Sequence, residues 1–303
     1  MANRRDYKVL DGFKYYHSGV QLIYQSCNRR VWNLGSSVVC KESPITPSET
    51  PFDEEAIVDF LQDHTTIPIP RVITEWTDEE MNTHFIIKEK IKGESLDQLW
   101  PTMSWELKDR MADETAAYLR QLRELTSPYC GRVDNQGVVD QMLFNLQYPI
   151  PQGPFHTQDE LWNAMVATLN NQIPQKALDR LRVQMPECLP WTFTHGDLSL
   201  SNIIVRNDHV VGILDWEWSG WFPRWWEYAK FRGGVPRWID SDWWELLEHR
   251  MDRYPEAYEF WDKFHSLVHK VESLHRSMDP RKIRMGNTVL EELFDDGAGV
   301  SLG

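Results

Sequence analysis

Three polar side chains of the kind that bind metals and move protons precede a β-branched run in residues 193–205, FTHGDLSLSNIIV. They are His195, Asp197 and Asn202. A second apolar run ends at Asp215, and a short polar stretch separates the two runs. This pattern predicts a β-hairpin, which brings its two ends together. We therefore expect Asn202 and Asp215 to lie side by side, with Asp197 on the loop that leads into the hairpin.

The residue types of this cluster favour a magnesium site. Mg²⁺ takes oxygen ligands and is usually held by one or two carboxylates together with phosphates and water. Asn202 and Asp215 are the predicted metal ligands, and Asp197 remains to act on a substrate hydroxyl.

The elements that would position this cluster fall into two halves. The first hundred residues predict three strands, a helix around Ala56–Leu61, and two further strands. After Gly93 the pattern becomes helical. The segment 104–126 places Leu107, Met111, Tyr118, Leu119, Leu122 and Leu125 on one broad face.

A capping box, in which Thr157 is followed three residues later by Glu160, predicts another helix start.

The predicted fold class is therefore α+β, with two lobes. A small β-rich lobe with one main helix spans residues 1–92, and a larger, mainly α-helical lobe spans residues 93–303. The predicted hinge lies at about residues 89–93.

Composition narrows the function classes. The net charge is −14 and no basic run is present, so long-range electrostatics should repel nucleic acid and anionic membranes. The four cysteines show no C-x-x-C spacing, which favours reduced thiols. Neither a signal-peptide core nor an apolar run of about 18 residues is apparent. We expect a cytoplasmic protein that binds neither nucleic acid nor membrane.

The segment from His195 to Asn202 resembles the catalytic loop H-x-D-x-x-x-x-N of kinase-fold enzymes. Gly196 makes it more similar to the aminoglycoside phosphotransferase and choline-kinase-like branch than to protein kinases, where arginine is usual. The segment ILDWEWSGWFPRWWEY resembles the metal-binding segment of that branch, especially in its fungal members. The resemblance implies a protein-kinase-like fold over the two lobes.

The same resemblance implies roles for residues upstream. Lys41 resembles the lysine that holds the α- and β-phosphates of ATP, and Glu55 resembles its ion-pair partner. Glu54 is the alternative partner; Glu55 is preferred because Glu54 is expected to be solvated if Ala56 and Phe60 pack inward. Backbone groups of Glu89 and Ile91 would contact the adenine.

The implied activity is ATP- and Mg²⁺-dependent phosphoryl transfer to a hydroxyl of a small molecule. Asp197 would accept the proton of the attacking hydroxyl or orient it, while His195 would hold the loop. Two departures from the family pattern stand out. No glycine lies between the first two strands, where Ser26, Asn28 or Arg29 could contact phosphate instead. Trp-Glu also follows Asp215 where protein kinases have Phe-Gly, so we expect no activation-loop switch.

The acceptor is left open by the sequence, as is the oligomeric state. Glu217, Trp218 and Glu227 are candidates for binding a cationic or ring-bearing acceptor such as an aminoglycoside or choline-like compound. The alternative is that the acids are solvated. The chain has 15 tryptophans, most of which are expected to pack in the core.

Three other functions compete with this interpretation. A kinase-fold nucleotide-binding or scaffold protein would explain the missing glycines, but not the retention of Lys41, Asp197, Asn202 and Asp215. A metal-dependent hydrolase would use His195, Asp197 and Asp215, with no need for Lys41. A protein-substrate kinase is disfavoured by Gly196 and by the long helical segment before the loop.

Overall fold

The computed structural model describes residues 19–26, 29–45, 53–144, 150–167, 169, 173, 175–233 and 241–276. The chain divides into two compact units. The first consists of Met1–Pro51 and Val72–Lys90, and the second of Phe52–Arg71 and Ile91–Gly303. The chain therefore passes from the first unit to the second for the last time between Lys90 and Ile91.

A five-stranded antiparallel sheet makes up the first unit. Its strands are β1 (Val20–Ser26), β2 (Arg29–Leu34), β3 (Val38–Pro44), β4 (Val72–Asp78) and β5 (Thr83–Glu89). They follow the order β1-β2-β3-β5-β4. β-Branched and aromatic residues dominate these segments and favour extended backbone. The five predicted strands of the N-terminal half are confirmed.

The pleat of this sheet decides which side chains share a face. Strand β5 alternates between buried and partly exposed residues, with His84, Ile86 and Lys88 buried. Lys41 in β3 lies directly opposite Val31 on one side and Ile86 on the other. Directly opposed residues of antiparallel strands point to the same face, so Lys41 shares the face of Ile86.

Helices dominate the second unit. They are α1 (Glu54–His64), α2 (Leu96–Leu99), α3 (Trp105–Glu124), α4 (Gln141–Phe144), α5 (Gln158–Ala167), α6 (Gln175–Gln184), α7 (Trp226–Gly233), α8 (Ser241–Glu248) and α9 (Pro255–Arg276). The residues that cap α3 and α5 are of the types that favour helix starts. The side chain of Ser104 accepts from Leu107 N at the start of α3. Thr157 and Glu160 form the predicted reciprocal capping box of α5.

Two small three-stranded sheets complete this unit. Their strands are β6 (Glu94–Ser95), β7 (Thr126–Ser127), β8 (Trp191–Thr194), β9 (Ile203–Arg206), β10 (His209–Ile213) and β11 (Gly220–Phe222). One sheet has the order β10-β9-β6, and the other β11-β8-β7. Strand β8 leads into the segment that carries His195, and β9 follows directly after Asn202.

The predicted hairpin is formed by β9 and β10. Ile203 is paired with Ile213 at its open end. Asn207 and Asp208 make the turn with φ angles of 53° and 62°, the left-handed conformation that two-residue hairpin turns require and that Asn and Asp tolerate. The turn sets the pairing of His209 with Arg206 and of Val210 with Val205. An irregularity between Val210 and Gly212 then shifts the register so that Ile203 pairs with Ile213.

The core of the second unit is rich in aromatic residues. Buried tryptophans between positions 216 and 244 are Trp216, Trp221, Trp225, Trp226 and Trp243. Trp218 and Trp244 are partly exposed, and Trp238 lies outside the described residues. The expectation that most tryptophans pack in the core is confirmed for this region. The described cysteines, Cys40, Cys130 and Cys188, are buried free thiols.

Candidate active site

His195 is a buried, neutral residue that ties the loop to the hairpin. Its Nε2 donates to the carbonyl of Leu214 at 2.9 Å, because a carbonyl oxygen can only accept. Its Nδ1 accepts from the backbone N–H of Asp197 at 3.1 Å. Burial, the main cause, lowers the pKa of His195 to about 4. Both ring nitrogens are occupied, so His195 positions the loop and has no lone pair for a metal.

Glu227 on α7 holds the same loop from the other side. Its carboxylate accepts from the backbone N–H of His195 at 2.6 Å and of Gly196 at 3.4 Å. The residue is 5% exposed. Burial raises the pKa of Glu227, while these two N–H groups and the charges of Arg123 and Lys230 oppose the increase. The carboxylate therefore supplies the acceptors that a buried loop backbone requires.

Gly196 is required by its backbone. Its φ is 80°, and a Cβ here would lie 2.7 Å from the carbonyl oxygen of Trp218. A side chain would meet both left-handed strain and a backbone clash. The glycine that the resemblance singled out is thus explained by local geometry.

Asp197 and Asn202 are joined across the loop. The Asn202 amide Nδ2 donates to the carboxylate Oδ2 of Asp197 at 3.1 Å and to its backbone carbonyl at 2.8 Å. These bonds orient the Asp197 carboxylate and leave the amide Oδ1 of Asn202 as the group suited to a metal. Asp197 itself keeps access to solvent.

Asp215 lies where the hairpin prediction requires. The backbone N–H of Leu214 donates to the carbonyl of Asn202 at 2.8 Å, so the residues flanking the hairpin are adjacent. Asp215 has φ 65° and ψ 64°. A left-handed conformation costs an aspartate of the order of 1–3 kcal/mol and is enriched at functional sites. The predicted approach of Asn202 and Asp215 is therefore present.

Negative charge converges on Asp197. Desolvation, the largest cause, and the charges of Asp215 and Glu217 raise its pKa to about 6, against the opposing effects of Lys230 and the Asn202 hydrogen bond. A carboxyl group with this pKa can exchange a proton near neutral pH. The negative charges of Asp215 and Glu217 also repel that of Asp197, and a divalent cation bound among them would remove this repulsion.

A cavity of about 110 Å³ opens beside Asp197. Its walls are formed by Met142, Gly196, Asp197, Leu198, Ser199, Glu227, Lys230, Phe231 and Trp244. Four of these nine residues have large apolar or aromatic side chains. The wall contains two acids, and the carboxylate of Glu227 accepts from the loop backbone, so Asp197 is the acid that can meet a ligand. The cavity can receive a small molecule and present it to Asp197.

Lys230 on the cavity wall forms an ion pair with the buried Asp140 that sequence reasoning missed. Lys230 Nζ donates to Asp140 Oδ2 at 2.8 Å and lies 5.3 Å from the ring centroid of Trp218. Asp140 is fully buried and also accepts from Trp226 Nε1 at 2.8 Å. Its other oxygen accepts from the N–H groups that begin α4. The only sequence signal for Asp140 is its place as an N-cap before α4.

The predicted acceptor-binding residues differ in their surroundings. Glu227 is buried and its oxygens serve the loop backbone, so it is not the solvated acid that the sequence allowed. Glu217 and Trp218 follow Asp215 in a short turn and are partly exposed. The sequence did offer a signal, because Trp225, Trp226 and Tyr228 surround Glu227 in the chain and predict a buried segment. A buried carboxylate is costly unless it accepts hydrogen bonds, so Glu227 could have been expected to bind polar groups of the protein.

The preference for Glu55 over Glu54 rested on the expectation that Glu54 is solvated, and the structure contradicts that expectation. Glu54 is 1% exposed, whereas Glu55 is exposed. Helix α1 buries Glu54, Ile57, Val58 and Leu61, which are spaced as one face of a helix. The expectation that Glu54 is solvated, made by directing Ala56 and Phe60 inward, is wrong.

The remaining nucleotide-site candidates lie at the end of β5 and beyond. Glu89 is the exposed last residue of β5 and pairs with Val38. Ile91 begins the second segment of the second unit, and its side chain occupies the space that a Cβ of Gly212 would need. Of the loop between β1 and β2, Asn28 lies outside the described residues, so its predicted contact with phosphate stays a prediction.

Comparison with known proteins assigns the family. The model of the phosphotransferase enzyme family, APH, matches residues 25–264. The chain therefore belongs to this family, as its resemblance predicted. A search of curated protein sequences gives no significant match.

Solved structures confirm the fold. The apo form of a thermostable mutant of aminoglycoside phosphotransferase APH(4)-Ia superposes with a TM-score of 0.55 at 15% identity, over 93% of this chain and 95% of that one. A GDP complex of aminoglycoside 2′-phosphotransferase-IIIa gives 0.55 at 14% identity, over 92% of each chain. ADP-bound APH(2″)-Ib gives 0.53 at 13% identity, over 89% and 91%. The predicted α+β, protein-kinase-like fold is confirmed.

Within the part of the chain that the structure describes, no helix is both long and apolar enough to cross a membrane.

Proposed function

We propose that this protein transfers the γ-phosphate of ATP to a hydroxyl of a small molecule, with Mg²⁺ as the metal. The observation that carries the proposal is the set Asp197, Asn202 and Asp215, gathered by one loop and hairpin at the edge of a cavity. Membership of a phosphotransferase family supports it. Phosphoryl transfer depends mainly on positioning and charge neutralisation, and this set supplies both.

Asp197 is the residue that receives the acceptor. Asn202 holds its carboxylate, and the cavity brings a hydroxyl to it. A pKa of about 6 leaves Asp197 mostly ionised at pH 7, able to orient the hydroxyl and to take its proton as the bond to phosphorus forms. His195 and Glu227 keep the loop backbone in place.

The oxygen donors fit Mg²⁺. Asn202 Oδ1 and the Asp215 carboxylate would hold the ion, and the convergence of Asp215 and Glu217 on Asp197 indicates a site in need of positive charge. When bound, Mg²⁺ neutralises phosphate charge. His195 would not be a ligand of the ion, because both of its ring nitrogens already make hydrogen bonds. This occupancy argues against a hydrolase that binds a transition metal through His195.

On the nucleotide side, Lys41 would hold the phosphates. The role of its partner acid, for which the sequence offers Glu55 or Glu54, stays a prediction. Backbone groups of Glu89 and Ile91 would contact the adenine. Residues 1–92 would then serve as the nucleotide-binding lobe and residues 93–303 as the catalytic and acceptor-binding lobe.

The acceptor is proposed to be a small molecule because the cavity beside Asp197 measures about 110 Å³. Trp218 and Glu217 remain proposed acceptor contacts, with Glu217 suited to a cationic group. One structurally similar protein, APH(4)-Ia, has been crystallised with AMP-PNP and hygromycin B. The use of ATP, a cytoplasmic location and the resemblance to fungal members of the family stay predictions, and the choice between ATP and GTP was left open by the sequence.

Thermal unfolding with and without Mg·ATP tests the nucleotide half of the proposal. A ligand at about 100 times its dissociation constant stabilises a fold by about 2.7 kcal/mol. We expect wild type and Asp197→Asn to be stabilised, and Asp215→Asn to lose the Mg²⁺-dependent part. The absence of a shift in wild type would refute the proposal.

ADP release over a panel of aminoglycosides, amino alcohols and sugars tests the chemical half. Asp197→Asn should lower turnover by about 10²–10⁴-fold, the usual contribution of a general base. Lys41→Ala should also abolish most turnover, with the exposed Lys176→Ala as its control. Nucleotide binding without transfer to any compound would favour a kinase-fold scaffold, and activity that survives Lys41→Ala would favour a hydrolase.

A further inference from the structure

Two histidines on α9 form a pair outside the candidate active site. His265 and His269 are four residues apart, so they lie on the same face of the helix, one turn from each other. Their Nε2 atoms are 2.9 Å apart. The ring centroids are 4.2 Å apart with an interplanar angle of 84°. The same nitrogen of each imidazole thus lies within hydrogen-bond distance of the other.

The separation of the two nitrogens fits two ligands on one metal ion. Metal–imidazole bonds are about 2.0–2.1 Å long. With bonds of that length, two nitrogens at 90° to each other are about 2.9 Å apart, and two at the tetrahedral angle about 3.3 Å apart. The observed 2.9 Å matches adjacent positions of a square-planar or octahedral ion.

We propose that His265 and His269 form a two-imidazole binding site for a divalent transition-metal ion, with Cu²⁺ preferred over Zn²⁺. Imidazole suits Cu²⁺, Ni²⁺ and Zn²⁺, and affinity generally follows an order in which Cu²⁺ is highest. Zn²⁺ prefers tetrahedral geometry, which this pair would meet only by spreading. Mg²⁺ prefers oxygen ligands, so this site is independent of the proposed Mg²⁺ site and of the proposed function.

The surroundings preorganise one ligand and keep the other accessible. The His265 ring stacks on Trp261, with centroids 4.8 Å apart and an interplanar angle of 28°. Trp261 is 2% exposed and packs against Trp226, so it provides a fixed surface for His265. His269 is exposed. A ligand whose rotamer is already set loses less entropy on binding.

The metal would replace a hydrogen bond. Without a metal, one imidazole N–H donates to the other ring nitrogen, as two neutral imidazoles allow. Metal binding requires both Nε2 atoms unprotonated, so the shared proton is released to solvent. The pair exists only while α9 is helical at these positions. Bound metal should therefore stabilise the folded state.

The test is a titration of the full-length, untagged protein with Cu²⁺. Binding is followed by quenching of tryptophan fluorescence, since Trp261 stacks on His265. Electron paramagnetic resonance of the bound ion counts its nitrogen ligands. The variants are His265→Asn and His269→Asn, and the control is His249→Asn, an exposed histidine in the turn that follows α8. Ni²⁺, which does not oxidise thiols, serves as a second probe.

We expect wild type and His249→Asn to bind one Cu²⁺ with coupling to two nitrogens. Each of the other two variants should bind at least tenfold more weakly, with the second nitrogen lost, and Zn²⁺ should bind wild type at least tenfold more weakly than Cu²⁺. Unchanged melting temperatures without metal would show that the variants fold. Equal affinity and nitrogen count in wild type and both variants would overturn the proposal, as would preferential binding of Zn²⁺.

Discussion

Replacing Glu227 by Gln tests how the loop from His195 to Asp197 is held. The buried carboxylate accepts a short bond from His195 N at 2.6 Å and a longer one from Gly196 N at 3.4 Å. A glutamine side chain has the same length but only one acceptor oxygen. Its amide group would present a donor to one of the two backbone donors.

The expected loss follows from these two bonds. Hydrogen bonds to charged groups contribute about 1.5–3 kcal/mol and neutral ones about 1 kcal/mol, so the short bond weakens by about 1 kcal/mol. A buried N–H of Gly196 without an acceptor costs a further 1–3 kcal/mol, roughly. Glutamine also removes the cost of burying a charge, the effect that raises the pKa of Glu227. We expect a net loss of about 2 kcal/mol, the low end of this range.

Chemical denaturation and thermal unfolding measure this loss. At about 2–4 °C per kcal/mol for a chain of this class, the melting temperature should fall by about 4–8 °C. Because the loop carries Asp197, kcat should fall by about tenfold or more, while KM for ATP changes little. The exposed Glu259→Gln on α9 is the control. Wild-type stability and kcat in Glu227→Gln would refute the reasoning that this carboxylate holds the loop.

Three further predictions concern the same site. Gly196→Ala should cost at least about 1 kcal/mol more than Gly35→Ala in urea unfolding; both have positive φ, but only Gly196 lacks room for a Cβ. Equal losses would contradict this. Lys230→Met should move the acid limb of the kcat/KM pH profile upward, because the lysine charge lowers the pKa of Asp197; Lys230→Arg should leave the limb in place. His195 has a pKa of about 4 when folded, against 6.5 ordinarily. The unfolded chain therefore binds more protons between these values, so stability should fall by up to about 3 kcal/mol as the pH drops through this window. Denaturation at pH 7 and pH 5 should show a flatter dependence in His195→Gln.

Local patterns in the sequence were sufficient for most of the fold. The hairpin before Asp215 was predictable because its strands are apolar and its turn residues, Asn207 and Asp208, tolerate left-handed backbone. The capping box of Thr157 and Glu160 was predictable for the same kind of reason, since its partners are three residues apart. Such features depend on neighbours in the chain.

Helix orientation was not predictable with the same accuracy. The choice between Glu54 and Glu55 depends on which side of α1 faces the core, and both Ala56 and Ile57 offer an apolar start to a face. Burial of Ile57 with residues one turn away settled the matter. A rotation of 100° per residue is enough to exchange an exposed acid for a buried one.

The sequence by itself determined the family, the α+β fold and the approach of Asp197, Asn202 and Asp215, because these depend on one loop and one hairpin with short-range turn chemistry. Only the tertiary structure decided that Glu227 bonds to the loop backbone, since its partners lie about thirty residues away. The pairing of Lys230 with Asp140 spans ninety residues. Such contacts follow from the way helices pack, and buried charges find their partners only after that packing is fixed.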